Sequence, residues 1–386
     1  MIQPKRILIL NWRCPHNPLA GGAEMITLKH AQAWVQAGYE VYWFAERFDG
    51  SASEEVIDGI HIVRLATANK MHSFTAPFYY VNLLSHNIFT YWFRFKGAFD
   101  LVIDEVHGPS MWITFWALRS KKLIYVHEVA QDIWDKMLPW PLSIMGKFAE
   151  HVMYVFYKNL PFLTASESTK NDLIRYGIPS ANITLIPHGI DLTPLQKVTK
   201  KESKLTLIFV ARLVKMKGIE ETLRVMKHVV ELMPNAQLWI VGKGDKEYLE
   251  VLHGLVSDLG IARNCTFLGY VDTDKQIKLY QKAHFLIHTS VREGFGLVVI
   301  EANSQGTPAF VYDSPGLRDL VKKGFNGDVV SYGHADTLAK KIVQTYSHDA
   351  MYSRMALNSI NFSKKFDWGT ITDRSLEHVT LLLKTK

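Results

Sequence analysis

The chain has 386 residues, 48% of them hydrophobic, which is too long for one ordinary core and long enough for two domains of common size. The formal net charge of +7 lies in residues 193–386, but no cluster of cations alternates with aromatic residues there, so nucleic acid is not an expected partner. The two cysteines, Cys14 and Cys265, lie far apart, and no apolar run is long enough for a signal-peptide core or a membrane span, so a reducing, cytoplasmic location is expected.

Short apolar runs alternate with amphipathic segments in the first half, which predicts βαβ units and a parallel sheet. After the first strand, a helix is predicted from Ala23 to Ala37, ended by Gly38. Gly21 and Gly22 directly precede this helix, where they would let the backbone approach a ligand; the alternative is a tight turn. The predicted strands are 6–11, 40–45, 60–64, 100–104, 122–126 and 162–165.

His127 follows the apolar strand at 122–126 directly. A side chain in that position is expected at the edge of the sheet, beside a cleft, rather than in the core. A single histidine is often structural, but its place at the carboxyl end of a strand favours a functional role. We therefore take His127 as a candidate catalytic residue.

A dense aromatic stretch covers residues 71–99, and the chain from Ile60 to Phe99 carries four cations without an acid. One interpretation is that residues 64–96 lie on an anionic membrane surface and admit a lipid-linked acceptor. The other is a helix pair that packs on the first sheet and lines an acceptor cleft. Both interpretations place acceptor binding in the N-terminal half. A second segment of this kind contains Trp134, Lys136, Trp140 and Lys147.

The polar stretch 193–204 is the predicted linker, because the strand and helix alternation restarts at Leu205. This restart predicts an α/β protein with two Rossmann-like domains facing each other across a cleft. The first would comprise 1–192 with 366–386, which includes a final helix, and would bind the acceptor. The second would comprise 205–365 and bind the donor. Its predicted strands are 205–211, 237–241, 265–268, 284–288 and 308–312.

Two carboxylates flank a glycine turn between a buried strand and the predicted helix Leu297–Gln305. Glu293 precedes the turn and Glu301 lies about two helical turns beyond it. The amides of Phe295, Gly296 and Leu297 would face a phosphate at the helix N-terminus. One carboxylate could then reach a sugar and the other a ribose. Taken alone, such a turn is more often only a tight connection.

A second loop upstream contains Arg212 and Lys217 at the predicted carboxyl end of a strand. Both cations could reach one diphosphate, because ligands of open α/β sheets bind at that edge. Lys215 between them has the pattern of a solvated surface charge. Further along, Gly242 and Gly244 follow another strand and would lie either beside a nucleotide base or in a plain turn.

Asp272 and Asp274 form an Asp-x-Asp pattern, which binds a metal in some enzymes. They directly precede an amphipathic segment, Lys275 to Ala283, so a helix-capping role is the better interpretation. With cations already present to neutralise a diphosphate, neither a catalytic metal nor another cofactor is expected.

Together, the Arg212 to Gly218 loop and the Glu293 to Glu301 motif resemble the family-4 retaining glycosyltransferases, also called glycosyl transferases group 1. The resemblance covers nearly the whole chain, because Leu8–Trp12 with Gly21–Glu24 resembles the family's first strand and glycine loop. The sequence departs from the family at two positions. The usual acidic residue after the glycines downstream of the motif is here Asp319, and Ala211 stands where glycine is common. Two further matching segments, 164–168 and 186–191, resemble the family's domain-closing region.

The resemblance implies a GT-B fold whose C-terminal helix crosses back to the first domain. It also implies retaining transfer from a UDP- or GDP-sugar to a hydroxyl of a glycan or lipid-linked acceptor, in envelope polysaccharide or glycolipid synthesis. In such a reaction Arg212 and Lys217 would hold the phosphates, Glu293 and His127 would contact the sugar, and Glu301 would bind the ribose. The alternatives are an inverting GT-B transferase, a glycan phosphorylase, or a non-catalytic nucleotide-sugar sensor or assembly partner.

Overall fold

The computed structural model describes residues 4–67, 76–106, 110–131, 133–137 and 140–384. Residues 68–75, which include the start of the aromatic stretch, are outside this description. The chain forms two compact units: one contains the chain up to His188 together with the segment from Trp368 onward, and the other is Gly189–Asp367.

The boundaries of these units differ from the predicted ones. Residues 193–204 belong to the second unit rather than to a separate linker. They are held there by hydrogen bonds: Thr199 Oγ1 donates to the carbonyl of Gln281 at 2.9 Å, and Lys201 Nζ donates to Thr307 Oγ1 at 2.9 Å. Phe366 also belongs to the second unit, where it is buried and its ring lies 5.9 Å from that of Phe295.

The first unit contains an eight-stranded sheet of order β3-β4-β2-β1-β5-β6-β7-β8, in which only the β3–β4 pair is antiparallel. All six predicted strands are present. The two that the pattern missed, β3 and β8, are short and lie at the sheet edges. The strands are β1 Arg6–Leu10, β2 Glu40–Arg47, β3 Glu54–Ile57, β4 Ile60–Thr67, β5 Leu101–Val106, β6 Lys121–Val126, β7 Phe162–Thr164 and β8 Ile183–Leu185.

The second unit contains a six-stranded parallel sheet of order β11-β10-β9-β12-β13-β14. From β9 the chain builds the sheet outward on one side and then returns to continue on the other from β12. The strand order therefore reverses between β9 and β12, which is a topological switch point. The strands are β9 Thr206–Val210, β10 Gln237–Val241, β11 Cys265–Gly269, β12 Phe285–His288, β13 Ala309–Tyr312 and β14 Gly327–Val330.

Helices cover both sheets, and in the described ranges none has the length and apolar content needed to cross a bilayer. Helix α2 continues into a π-helical turn, Thr90–Arg94. The helices are α1 Gly22–Gln36, α2 Ala76–Phe89, α3 Ile113–Trp116, α4 Ile133–Met137, α5 Leu142–Tyr157, α6 Glu167–Arg175, α7 Ile219–Leu232, α8 Lys246–Asp258, α9 Thr273–Lys282, α10 Leu297–Ser304, α11 Leu317–Leu320, α12 Ala335–Tyr346, α13 Asp349–Ser363 and α14 Trp368–Lys384.

Alternation along the first sheet assigns its helices to opposite faces. Val102, Ile124 and Val126 point into a core shared with α2, α3, α5 and α6. Tyr125, which points the other way, contacts His30 of α1. Helix α14 packs on α1, where Trp34 Nε1 donates to Ser375 Oγ at 3.2 Å and Tyr39 lies 3.0 Å from Thr380. The C-terminal helix therefore belongs to the first unit, as the resemblance implies.

Candidate functional site

The predicted donor-binding segments of the second unit come together at the carboxyl ends of its strands. The amide of Val291 donates to the Met216 carbonyl at 3.1 Å, which joins the loop after β12 to the loop after β9. Leu213 N donates to the Lys243 carbonyl at 2.7 Å, which joins the loops after β9 and β10. The two charged loops thus flank the switch point, the usual place for a ligand in an open α/β sheet.

Lys217 and Glu293 form an ion pair at this point. Lys217 Nζ donates to both carboxylate oxygens of Glu293, at 2.8 and 2.7 Å. The imidazole of His288, at the end of β12, lies 3.0 Å from the same carboxylate. The Lys217 side chain is 24% exposed and that of Glu293 is 12% exposed. The pair is therefore mostly shielded from water, but the lysine still reaches the surface.

This environment sets the protonation state of Glu293. Burial by itself would raise the pKa of the carboxyl, but the charge of Lys217 and the hydrogen bond with His288 outweigh burial and lower the pKa to about 2. Glu293 is consequently a carboxylate at every pH near neutrality. Such a group accepts hydrogen bonds and cannot act as a proton donor.

Gly296 forms the predicted turn from strand to helix. Its φ of 97° and ψ of 47° lie in the left-handed region, and helix α10 begins at the next residue, Leu297. A Cβ at Gly296 would also lie 3.2 Å from the Leu317 side chain. The preceding Phe295 is buried. The first amides of α10 have no carbonyl partner within the helix, which is the geometry that suits an anion.

Glu301 lies in α10, where its carboxylate accepts hydrogen bonds from Tyr280 and Gln276, both at 3.1 Å. Burial raises its pKa, and the nearby charge of Asp191 raises it further, against the two hydrogen bonds. The carboxylate that is predicted to bind a ribose therefore already accepts hydrogen bonds from two protein side chains.

Arg212 is exposed in the loop after β9. Gly242 lies against that loop so closely that a Cβ there would be 1.7 Å from the Ala211 carbonyl oxygen, and a Cβ at Gly244 would be 2.9 Å from Leu213. Packing of backbone on backbone is therefore sufficient to require both glycines, so the turn interpretation explains them without a ligand. The turn nonetheless adjoins Arg212.

Asp272 caps helix α9, since its side chain accepts from the Lys275 amide at 2.8 Å, as the sequence predicted. Asp274 lies in the first turn of the same helix. Within the described ranges there is no group of three histidine, cysteine or acidic side chains arranged to hold a metal ion.

His127 follows β6 in the first unit but is only 6% exposed, so the expected location outside the core is wrong. The ring packs against Tyr125 with centroids 4.2 Å apart, and His188 lies 5.7 Å away. Burial lowers the pKa of His127 to about 4, although the charge of Glu24 opposes the effect. The imidazole is therefore neutral at pH 7.

Glu105, at the end of β5, was missed by the sequence analysis. Its buried carboxylate lies 3.4 Å from His127 Nε2 and also accepts hydrogen bonds from Asn11 and Thr27. The signal was present: β5 carries two adjacent acids near its end, Asp104 and Glu105, and burying such groups is costly unless they are hydrogen-bonded. Glu105 ties the histidine to the first strand and to helix α1.

The glycine loop of the first unit lies at the start of α1. The Gly21 amide donates to Glu24 Oε2 at 2.7 Å, so the glutamate of the loop caps its own helix. Gly21 and Gly22 are exposed, and Glu24 is buried. The candidates of the first unit, Gly21, Gly22 and His127, thus gather around the first turns of α1 through Glu24 and Glu105. The candidates of the second unit gather at its switch point.

Two family models match consecutive parts of the chain. Residues 20–194 match Glycosyltransferase Family 4, and residues 193–362 match Glycosyl transferases group 1. An uncharacterized glycosyltransferase of Methanocaldococcus jannaschii is 26% identical over 96% of this chain and 97% of its own length. The phosphatidyl-myo-inositol mannosyltransferase of Mycobacterium leprae is 24% identical over 72% of each chain.

Among solved structures, the Anabaena protein HepE in complex with UDP-glucose superposes with a TM-score of 0.72. The match covers 97% of this chain and 99% of that protein at 17% identity, so it concerns the fold.

Proposed function

Because the chain belongs to the family-4, group 1 glycosyltransferases and has their GT-B fold, we propose that it transfers a sugar from a nucleoside diphosphate sugar to an acceptor hydroxyl. The donor carries UDP or GDP, and the anomeric configuration is retained. The acceptor is a glycan or a lipid-linked molecule of envelope polysaccharide or glycolipid synthesis. The lipid alternative is supported by the mycobacterial relative whose name describes a phosphatidylinositol acceptor.

One observation carries this proposal: the Lys217–Glu293–His288 cluster lies at the switch point, next to the N-terminus of α10. An ammonium group has three N–H donors, and Lys217 uses two of them on Glu293. The third remains for a phosphate oxygen. The α10 amides and the exposed guanidinium of Arg212 complete the anion-binding subsite.

The chemical step breaks the bond between the anomeric carbon and the β-phosphate oxygen. The acceptor oxygen forms its bond on the same face of the sugar, and its proton passes to the departing phosphate. Negative charge therefore grows on the phosphate, where Lys217, Arg212 and the amides of residues 295–297 stabilise it. Loss of one such preorganised donor typically costs about 3–4 kcal/mol in the activation barrier.

Glu293 serves as an acceptor for sugar hydroxyls, because its low pKa keeps it ionised. The neutral imidazole of His127 suits a hydrogen bond to a sugar hydroxyl, and we assign it that role. Glu301 binds the ribose, and Gly21, Gly22, Gly242 and Gly244 lie in the backbone segments that approach the donor. With two cations at the phosphate, activity is expected to survive chelation of metals.

A turnover assay tests the proposal. The purified protein is incubated with a panel of nucleoside diphosphate sugars, and release of the nucleoside diphosphate is measured with and without EDTA. Lys217→Ala and Glu293→Gln should lower release by about a hundredfold or more. Lys215→Ala is the matched control, since this lysine is exposed in the same loop and should leave release unchanged.

The outcomes are distinguishable. Release from one donor, lost in both variants and kept in the control, identifies the donor and the site. Proton NMR of the product then gives the anomeric configuration. Donor binding without release, even with lipid and oligosaccharide extracts as acceptors, would instead indicate a non-catalytic nucleotide-sugar sensor.

A further inference from the structure

Helices α2, α3 and α5 of the first unit expose a set of large apolar side chains on the side that faces away from the sheet. We call this surface the outer face. Its members, with the π-helical turn after α2 and the residues after α3 included, are Val81, Phe89, Phe93, Phe115, Leu118, Ile144, Met145, Phe148, Val155 and Phe156.

The three helices form one layer, because their opposite sides enter the same core. Tyr91, in the π-helical turn that continues α2, packs there with Trp116 of α3 and Tyr157 of α5, against alternate residues of the central strands. Side chains on the far sides of these helices therefore point away from one common sheet face. The described part of the basic aromatic stretch thus packs on the first sheet, while Phe89 and Phe93 remain exposed.

Ring contacts connect neighbouring parts of the outer face. Phe115 of α3 lies 5.1 Å from Phe156 of α5, and Phe89 lies 4.6 Å from Phe93. Arg119, which follows α3, stacks over Trp92 of the π-helical turn at 5.4 Å. These contacts join α3 to α5 and the segment after α3 to the π-helical turn, so the outer face is not a scatter of single exposed residues.

Helix α5 shows the anomaly most clearly. A helix at a protein surface normally turns polar side chains outward, and one that is apolar all round is normally buried. In α5 the inward side carries Met153 and Tyr157, yet on the outward side Phe148 is 69% exposed and Met145 is 63% exposed. The exposed apolar positions of α5 form two neighbouring rows at helical spacing and therefore share one side of the helix. One row contains positions 144, 148 and 155, and the other contains positions 145, 149 and 156.

The charges around the outer face are predominantly positive. The sequences of α2, α3 and α5 contain one acid, Glu150, and its buried carboxylate accepts from the amides of Ala130 and Gln131. Lys96, Arg119 and Lys158 are exposed at the ends of these helices. Two further cations of the region, Arg94 and Lys147, pair with Glu54 and Asp135.

We propose that the outer face docks on the surface of a bilayer that contains anionic lipids. Exposed phenylalanine and methionine side chains would enter the boundary of headgroups and acyl chains, while the cations at the helix ends would contact lipid phosphates. A second copy of the chain is a poorer occupant, because docking the face on itself would bring like charges together.

The proposal extends the lipid-linked acceptor of the proposed function, but membrane binding is measured without turnover. Release of the nucleoside diphosphate from a water-soluble donor is a separate readout on the same variants. Failure of the one can therefore be told from failure of the other.

The test is sedimentation of the purified full chain with vesicles of phosphatidylglycerol and phosphatidylcholine, or of phosphatidylcholine alone. The protein should pellet with the anionic vesicles, and less so at high salt. Met145→Glu with Phe148→Glu should weaken binding about tenfold or more, since both residues are already exposed and their exchange should leave the fold intact. Leu381→Glu is the matched control: it is 64% exposed on α14, which packs on the other side of the sheet.

Three results would overturn the proposal. The wild-type chain could fail to pellet with anionic vesicles at low salt. The control could weaken binding as much as the paired outer-face substitutions do. Sedimentation velocity could show a dimer that the paired substitutions dissociate, with no vesicle binding, which would assign the face to a second copy.

Discussion

Replacing Lys217 by methionine should destabilise the second unit through the carboxylate that the lysine leaves behind. The pKa of Glu293 is lowered from the ordinary 4.5 to about 2, although burial acts in the opposite direction. A carboxyl with such a folded-state pKa contributes about 3 kcal/mol to the free energy of unfolding at neutral pH. Without Lys217 only His288 opposes burial, so most of this contribution should be lost and the pKa of Glu293 should rise.

The pH dependence follows from the direction of the shift. Because the pKa in the folded state lies below that of the unfolded chain, the stabilisation is present above about pH 4.5 and is lost as the pH falls toward 2. In Lys217→Met this acid-dependent loss should be much smaller, since little stabilisation remains to be removed.

The measurement is hydrogen exchange of peptides from β9 and β12 at increasing urea concentration, at pH 7 and pH 4, in the full chain. Lys217→Met should lower the free energy of opening by about 3 kcal/mol at pH 7. The double variant Lys217→Met/Glu293→Gln should recover much of the loss, because no uncompensated charge stays buried. Lys215→Met is the control and should change nothing. If the double variant loses as much free energy of opening as Lys217→Met and Glu293→Gln added together, the pair is not coupled and the reasoning fails.

Three further predictions concern single positions. Gly242→Ala should lower the melting temperature by several degrees and weaken nucleotide binding, because its Cβ would lie 1.7 Å from a neighbouring carbonyl oxygen. The control Gly254→Ala, in α8, places its Cβ in open space and should stabilise the protein slightly. Calorimetry measures the melting temperature of both variants. His127, with a pKa near 4, should contribute no inflection to the pH profile of donor hydrolysis between about pH 5.5 and 8, and an imidazole NMR titration in that range would contradict this. Burial raises the pKa of Asp104 to about 7, although a hydrogen bond from Tyr157 acts in the opposite direction. The free energy of unfolding should therefore decline as the pH rises from about 4 through 7. Asp104→Asn should flatten that decline in urea titrations.

The arrangement of strands and helices was largely readable from the sequence, because uninterrupted apolar runs such as Leu207–Val210 are buried on both sides in a parallel sheet. The turn at Gly296 was readable for a similar reason, since a glycine before an apolar helix has a local conformational meaning. Strands β3 and β14 were missed because their short sequences, with two glutamates or a leading glycine, resemble turns.

Contacts between distant residues could not be predicted in this way. Lys217 and Glu293 lie 76 positions apart, and their pairing depends on β12 lying beside β9 in the sheet. The burial of His127 depends on α1 covering that face of the first sheet, which the local pattern around residue 127 does not record. Residues 193–204 looked like a linker because they are polar, but their hydrogen bonds to the second unit belong to positions far along the chain.

The position of helix α14 at the C-terminal end of the first unit sets the order in which the two units can fold during synthesis. The ribosome releases all of Gly189–Asp367, about 180 residues, before the helix that covers Trp34 of the first unit exists. At about 5–20 residues per second, that interval lasts on the order of 10–40 seconds. The first unit therefore has to wait with part of its apolar surface uncovered, while the second unit, which is contiguous, can finish first. This reverses the usual N-terminal-first sequence and makes the nascent first unit a natural client for chaperones.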